Sequence, residues 1–262
     1  MDPKGIKVRR TNTTPDENFR RECLLHRPYA QESYLESLAS EAELIELECD
    51  GARCGYALVR DSCIVEFFLY PTSQVDETAA MEAVVRLNGA EAALCQSFDS
   101  VMTNACSSLG WESKTVGHLF RSFDDTIIDV GLVAQLATSE CLPAVKAIHD
   151  GFFDSEAEIR SYLDEEHARL FLYYKDSQAV ACGIIKRVVA CRNSYDIGMV
   201  VAQSFRGTGY GAAVVSHLKQ FCLAQGWQPI AGCSVENVAS KRSLQRAGFT
   251  SEHQLIRYAQ KL

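Results

Sequence analysis

The sequence predicts an α/β fold of the α+β kind, built as two similar domains in tandem. Short apolar segments typical of buried strands alternate with amphipathic segments of helical spacing along the 262 residues. Features of the first half also recur in the same order in the second half, as an internal duplication would produce.

The recurrence is clearest near the end of each half. Gly110-Trp111 and Gly248-Phe249 each precede a probable strand, and Asp99 and Asn237 stand eleven residues before the two glycines, each after an apolar strand. Each half also carries a Cys-Gly pair within a predicted strand, at 54–55 and 182–183.

The beginnings of the two halves match as well. The segment "IKVRRTNTTPDENFRRECLLHR" predicts a strand, a Thr-Pro-Asp helix entry and an amphipathic helix, and "TIIDVGLVAQLATSECLPAVKAIHDGF" (126–152) repeats that order. We therefore predict domains at residues 1–124 and 125–262.

Composition and charge limit the possible functions. The chain is 47% apolar and 23% charged, and no apolar stretch approaches 18 residues, so we expect a cytoplasmic protein without a membrane role. Residues 1–124 hold 12 Lys and Arg against 20 Asp and Glu, whereas residues 125–262 hold 14 of each. Nucleic acid is therefore not an expected partner. The acidic half either attracts a cationic amine or keeps the protein soluble.

The cysteines and histidines predict no metal site. The eleven cysteines include no C-x-x-C pair and lie mostly in apolar runs, as reduced core residues do. The histidines lack a matched Cys or carboxylate partner in the sequence; they include His149, His167, His217 and His253.

A glycine-rich turn is the strongest functional signal. The segment "SFRGTGYGAAVV" (204–215) follows a predicted buried strand, "YDIGMVVA" (195–202), and precedes a helix that closes on Gly226. Backbone N–H groups between Gly207 and Gly211 would converge at a helix N-terminus, which predicts a phosphate site.

Three known patterns compete for this turn. A nucleoside triphosphate loop needs a Lys after the glycines, and none follows. The dinucleotide pattern is matched by Gly207, Gly209 and Ala212, but the chain is too short beyond it for the further strand–helix units. The third pattern, R-x-x-G-x-G, is matched by Arg206, Gly209 and Gly211.

With this third pattern the sequence resembles the GNAT superfamily of acetyl-CoA-dependent N-acetyltransferases. Residues 237–249 add the cadence N-x-x-S-x-x-x-L-x-x-x-G-F of the same superfamily. The resemblance implies two GNAT-like domains, each a mixed, mostly antiparallel sheet flanked by helices, with acetyl-CoA as co-substrate. It implies these acetyl-CoA contacts: Met199, Val200, Val201, Arg206, Gly207, Thr208, Gly209, Tyr210, Gly211, Asn237 and Ser240.

The catalytic residues are less defined. Counting back from Arg206 puts Tyr195 where many family members have a glutamate base, and Asp196 is one step on, facing the other side of the strand. Leu244 occupies the position of the family's usual acid, a tyrosine, and the neighbouring Ser243 and Ser240 could donate a hydrogen bond to sulfur in its place. Candidates are thus Asp196, Tyr195 and Ser243.

The first half lacks the glycine loop. After its predicted strand "CIVEFFLY" (63–70) it continues "PTSQVDETAAMEAVV", with neither Arg nor Gly and with Asp76 and Glu77 before a helix. A phosphate would be repelled there, so we interpret residues 1–124 as a degenerate GNAT-like domain.

Together these observations predict an N-acetyltransferase that moves an acetyl group from acetyl-CoA to a primary amine, most simply of a small cationic molecule. The acceptor cleft would be lined by segments 29–34 and 154–166, and the protein would be a monomer or a homodimer. The alternative is a non-catalytic acyl-CoA-binding or sensor protein, and a dehydrogenase is a distant third.

Overall fold

The computed structural model describes residues 5–11, 15–148 and 151–261. The chain divides into two compact units, an N-terminal unit of Met1–His118 with His253–Leu262 and a C-terminal unit of Leu119–Glu252. Residues 119–124 were predicted to belong to the first domain but lie in the C-terminal unit, and residues 253–262 were predicted to belong to the second domain but lie in the N-terminal unit.

In the N-terminal unit, strands and helices mix in the predicted order. Its elements are β1 (Ile6–Thr11), α1 (Glu17–His26), α2 (Ser33–Ser40), β2 (Glu43–Cys49), β3 (Ala52–Arg60), β4 (Cys63–Leu69), α3 (Glu77–Asn88), β5 (Ala92–Gln96), α4 (Ser100–Ser108) and β6 (Glu112–Phe120), whose last two residues belong to the C-terminal unit. The predicted Pro-Asp helix entry is confirmed, since Asp16 caps α1 by accepting a hydrogen bond from Phe19 N at 2.8 Å.

The sheet of this unit is mostly antiparallel. Strands β1 to β4 pair successively in antiparallel fashion, β5 runs parallel to β4, and the last strand of the chain, β14 (His253–Ala259), pairs antiparallel with β5. The β14 register places Leu255 opposite Gln96 and Ala259 opposite Ala92. The C-terminal strand is therefore an integral part of the N-terminal unit.

The C-terminal unit repeats this architecture. Its elements are β7 (Ser122–Phe123), β8 (Val133–Leu136), α5 (Leu142–Ile148), α6 (Glu156–Asp164), β9 (Ala168–Lys175), β10 (Gln178–Arg187), β11 (Ser194–Val201), α7 (Tyr210–Ala224), β12 (Gln228–Ser234), α8 (Val238–Arg246) and β13 (Phe249–Thr250). Strands β8 to β11 pair successively in antiparallel fashion, β12 runs parallel to β11, and β13 pairs with β7. The mixed, mostly antiparallel sheet flanked by helices is thus confirmed in both halves.

Helices pack on the sheet of the C-terminal unit because its strands are apolar on both faces. Along β11, Ile197 belongs to the core cluster with α7, and Val200 to the cluster with α5 and α6. Successive side chains of a strand point to opposite faces, so β11 is covered on both sides. Six cysteines are buried in the two units, as their apolar surroundings predict: Cys23, Cys54, Cys95, Cys106, Cys182 and Cys222.

None of the helices in the described part of the chain has the length and apolar character that a membrane crossing requires.

Candidate functional site

The two parallel strands of the C-terminal unit separate partway along their length. β11 and β12 are in register at Ser194↔Gln228, Tyr195↔Pro229 and Asp196↔Ile230, and residues 197–201 of β11 run on beyond this register. Parallel strands that pair over three residues and then diverge open a cleft between their carboxyl ends. The predicted backbone contacts Met199, Val200 and Val201 lie on this diverging part of β11.

The glycine loop (residues 206–211) connects the end of β11 to α7. Gly207 and Gly209 have φ values of 83° and 90°, in the left-handed region that favours glycine. Arg206 Nε donates to Val201 O at 3.2 Å, and Thr208 Oγ1 donates to Phe205 O at 2.6 Å. The loop is therefore held by its own polar side chains against the end of the strand.

The N-terminus of α7 is suited to an anion. The cap residue is Gly209, which has no side chain with which to cap the first turn. The first N–H groups of a helix have no partner within the helix and carry a partial positive charge. A phosphate group at this end would accept hydrogen bonds from these N–H groups and compensate their partial positive charge.

Gly211, Ser243 and Met199 come together beside the loop. A Cβ added at Gly211 would lie 2.8 Å from Ser243 Oγ and 3.5 Å from Met199 Sδ. The backbone of α7 can approach α8 and β11 this closely only because residue 211 has no side chain. Three of the predicted site residues, far apart in the sequence, therefore share one location.

Arg246 belongs to the same location and was missed by the sequence analysis. Its Nη1 and Nη2 atoms both lie 4.0 Å from the position that a Cβ of Gly209 would occupy, and its side chain is exposed. Arg246 follows Ser243 by three residues on α8, a spacing that puts both on one helix face. That spacing was the signal that could have identified it.

Asn237 and Ser240 form a helix cap. The Asn237 side chain accepts a hydrogen bond from Ser240 N at 3.0 Å and so begins α8. These two positions of the predicted cadence thus have a structural role, beside the proposed contact with acetyl-CoA.

The candidate acids are constrained by their surroundings. Ser243 Oγ donates to Ala239 O at 3.0 Å, a bond to the preceding turn of its own helix. Leu244, at the position of the expected tyrosine, is 3% exposed and packs in the core. The Ser243 hydroxyl proton is therefore engaged in a hydrogen bond within α8, and the hydroxyl would have to rotate before it could donate to another group.

Tyr195 and Asp196 point to opposite faces of β11, as the alternation predicted. Tyr195 is 3% exposed and its ring stacks on Trp227 at 4.0 Å with an interplanar angle of 6°. Asp196 is half-buried and lies opposite Lys186 of β10. Burial and then the Asp196 charge raise the pKa of Tyr162 on α6 above its usual value. Tyr162 lies in the segment 154–166 that was predicted to line the acceptor cleft, but its position near the candidate base was not predicted.

No metal site was expected. His149 lies outside the described residues, and His217 Nδ1 is 2.8 Å from the hydroxyl of Tyr173. Within the described ranges, no group of three or more His, Cys, Asp and Glu side chains is arranged to hold an ion.

The corresponding helix of the N-terminal unit differs at its first turn. Asp76 caps α3, and its Oδ1 accepts a hydrogen bond from Ala79 N at 2.8 Å. A carboxylate therefore already occupies the position that glycine leaves open at α7.

Models of protein families match both halves of the chain. The model of the acetyltransferase (GNAT) family matches residues 136–249, and that of an acetyltransferase (GNAT) domain matches residues 16–123. A comparison with curated protein sequences gave no significant match.

Several solved structures share the fold over nearly the whole chain. A GNAT-family acetyltransferase from Colwellia psychrerythraea is 18% identical, with a TM-score of 0.85 over 97% of this chain and 100% of its own. A tandem GNAT protein from the clavulanic acid biosynthesis pathway is 9% identical, with a TM-score of 0.62 over 97% and 98% of the two chains.

A GCN5-related N-acetyltransferase from Sphaerobacter thermophilus is 13% identical, with a TM-score of 0.61 over 99% of this chain and 96% of its own. At these identities the likeness shows the fold, while the two family models cover both halves of the sequence. The chain belongs to the GNAT acetyltransferase family and carries two GNAT domains in tandem.

Proposed function

We propose that the C-terminal unit binds acetyl-CoA at the glycine loop and transfers the acetyl group to the primary amine of a small cationic molecule. The observation that carries this proposal is the open N-terminus of α7, which begins at Gly209 beside the cleft between β11 and β12. The equivalent helix α3 is closed by the Asp76 carboxylate, so the proposed acetyl-CoA site is in the C-terminal unit alone.

The residues at this end of α7 fit a pyrophosphate. The backbone of residues 207–211 supplies N–H donors, and the guanidinium of Arg246 adds positive charge within reach of Gly209. The diverging end of β11, including Met199 and Val201, would orient the acyl end through its backbone. Acetyl-CoA supplies an activated thioester, and the chain's residues position it and handle the proton of the amine.

The amine must lose a proton before it attacks, which requires a base. Asp196 is the better of the two candidates, because its carboxylate is half-buried beside Tyr162, whereas the ring of Tyr195 is stacked in the core. An Asp196 carboxylate could accept the proton directly or through one water molecule.

The negative charge of the N-terminal half supports a cationic acceptor. Residues 1–124 carry eight more acidic than basic side chains, whereas residues 125–262 are balanced. Such a charge distribution raises the local concentration of a cation and lowers that of an anion.

A second candidate function is that of a non-catalytic acyl-CoA-binding protein. It is favoured by Leu244, which buries a leucine where the family's usual acid stands, and by Ser243, whose hydroxyl is bonded within its own helix.

Calorimetric titration of the full chain with acetyl-CoA tests the binding site. We expect one site per chain, lost in Gly209→Asp, because the new carboxylate would face the pyrophosphate. Gly51→Asp is the matched control, since Gly51 has a similar φ of 80°, open space around it and a position in the N-terminal unit. Two sites per chain, or unchanged affinity in Gly209→Asp, would refute the proposed location.

Release of free CoA with polyamines, aminoglycosides, amino acids and peptides distinguishes the two functions. Turnover with a cationic small amine supports the transferase, and binding without turnover for any acceptor supports the sensor.

A further inference from the structure

The N-terminal unit contains a cavity of about 590 Å³. It lies between the end of α1, the end of β4 and the connection from β5 to α4. β4 and β5 are in parallel register only at Cys63↔Ala92 and Ile64↔Ala93, so these strands diverge as β11 and β12 do. The cavity therefore occupies the position in this unit that the cleft between β11 and β12 occupies in the other.

Two helices begin at the cavity, and both N-termini are closed by carboxylates. Asp76 Oδ1 accepts from Ala79 N of α3 at 2.8 Å, and Asp99 Oδ1 accepts from Met102 N of α4 at 3.2 Å. Both aspartates line the cavity. The partial positive charge of the helix ends is thus already compensated, and a phosphate would meet negative side chains instead.

The arginine that lines the cavity is neutralised by its own neighbours. Arg27 is 8% exposed and donates from Nη2 and Nε to Asp99 Oδ2 at 3.0 and 3.3 Å. Its Nη1 donates to the buried Glu66 at 3.2 Å. Arg27 therefore contributes little attraction for an anionic ligand. Two further carboxylates line the cavity at the start of α3: Asp76 is exposed and Glu77 is half-buried.

Aromatic rings form much of the remaining wall. Phe68 and Tyr70 lie 5.3 Å apart in an edge-to-face arrangement, and Phe98 faces the cavity from the β5–α4 connection. The face of an aromatic ring attracts a cation, and it packs well against another flat apolar group. The lining of the cavity is about as polar as it is apolar, so a small molecule that carries both a charged group and an apolar group matches it.

We propose that this cavity is a second ligand site, which binds an organic cation with a flat apolar body, of the arylalkylamine class. The ammonium group would lie toward Asp76 and Glu77, and the ring would pack among Phe68, Tyr70 and Phe98. The cavity of the N-terminal unit would thus select a cation, whereas the corresponding cleft of the C-terminal unit would select the anionic acetyl-CoA. The proposal does not depend on acetyl transfer by the C-terminal unit.

The experiment compares two probes of like size and opposite charge, tryptamine and indole-3-propionate, by calorimetric titration of the full chain without acetyl-CoA. We expect tryptamine to bind and indole-3-propionate to bind at least tenfold more weakly. No binding of tryptamine at millimolar concentration, or equal binding of both probes, would overturn the proposal.

Substitutions at the cavity test whether tryptamine binds there. The double change Asp76→Asn and Glu77→Gln removes both charges, while Asn still caps α3. We expect it to weaken tryptamine binding by about fivefold, as for the loss of partly exposed ion pairs. The control, Glu91→Gln with Glu112→Gln, removes the same charge from exposed positions that do not line the cavity.

Equal loss of tryptamine affinity in the control would show a general charge effect and overturn the site. Gly209→Asp should leave tryptamine binding unchanged, whatever it does to acetyl-CoA. If Gly209→Asp abolishes tryptamine binding, the probe occupies the C-terminal unit and the proposal is wrong.

Discussion

Gly211 of α7 lies so close to Ser243 of α8 that a Cβ at position 211 would stand 2.8 Å from Ser243 Oγ. Turning the serine away would break the hydrogen bond that its hydroxyl donates to Ala239 O at 3.0 Å. The start of α7, and with it the glycine loop, therefore lies directly against α8.

We expect Gly211→Ala to lower the free energy of unfolding by about 1–3 kcal/mol, because an extra methyl group overpacks the contact. Urea unfolding measures the loss. Adding Ser243→Ala removes the clashing oxygen and should restore much of the stability, whereas Ser243→Ala alone should change it little. A Gly211→Ala protein as stable as the original chain would contradict the close approach.

Lys219 is a buried cation that links two backbone segments, one at residues 124–126 and the other at the end of α8. Its side chain is inaccessible to solvent, and its Nζ donates to the carbonyl oxygens of Asp124, Thr126 and Ala247 at 2.8, 2.9 and 2.7 Å. Burial lowers the pKa of Lys219 below its usual value, while Asp124 and Asp125 oppose the change.

Replacing Lys219 by Met keeps the apolar stem but leaves three carbonyl groups without this donor. We expect a loss of about 3 kcal/mol in the free energy of unfolding, as for buried polar groups left unsatisfied. Thermal and urea unfolding of Lys219→Met, compared with Lys114→Met at an exposed position, give the measurement. Equal small losses in the two variants would show that the three bonds contribute no net stability.

Acid should destabilise the N-terminal unit through Glu66. Burial opposes ionisation of this carboxyl group, but hydrogen bonds and charge from Arg20, the charge of Arg27 and a hydrogen bond from Tyr56 outweigh it and lower its pKa. A lowered pKa in the folded state means that the unfolded chain binds the proton more readily. The contribution of Glu66 is therefore complete above its unfolded pKa and is lost as the pH falls through the folded one.

We expect the stability of the chain to fall below about pH 4.3, the usual pKa of a glutamate. Glu66→Gln should lose about 3 kcal/mol near neutral pH, because Arg20 and Arg27 each lose one of their two carboxylate partners in the core. Its stability should also vary less with pH in the acid range. Parallel acid-unfolding curves for the two proteins would exclude Glu66 as the responsible group.

The acid–base assignment predicts different outcomes for two neighbouring residues. Asp196→Asn should lower the rate of acetyl transfer by about 10²-fold at neutral pH, as for a lost general base, with little effect on acetyl-CoA affinity. The deficit should shrink as the pH rises, because the amine then deprotonates in solvent.

Tyr195→Phe keeps the stacked ring and should retain most of the activity. Rates measured across pH with saturating acetyl-CoA make the comparison. Equal activity of both variants and the original chain would indicate that bulk solvent takes the proton.

Much of the fold could be predicted because its signals are local. Asp16 before α1 and the glycines that end α4 and α8 mark element boundaries within a few residues of sequence. The glycine loop was located in the same way, since Arg206, Gly209 and Gly211 form one short pattern.

The residues that were missed depend on approach in space. Arg246 reaches the glycine loop only through the packing of α8 beside α7, and Tyr162 comes near Asp196 only through the packing of α6 on the sheet. The partner of β14 could not be predicted either. The strands "ESKTVGHLFRSF" and "SEHQLIRYAQ" have similar patterns, and nothing local decides which half each strand joins.

The pairing of β14 with β5 also determines when the chain can finish folding. Gln254 N donates to Ser97 Oγ across 157 residues of sequence, and the whole β14 register depends on contacts of similar range. During synthesis, the N-terminal unit would leave the ribosome with one edge of β5 unpaired until the residues of β14 emerge. The sheet of the N-terminal unit is therefore translated first but completed only when β14 is available. Deleting β14 would destabilise the N-terminal unit, although that unit is encoded almost entirely by the first half of the sequence.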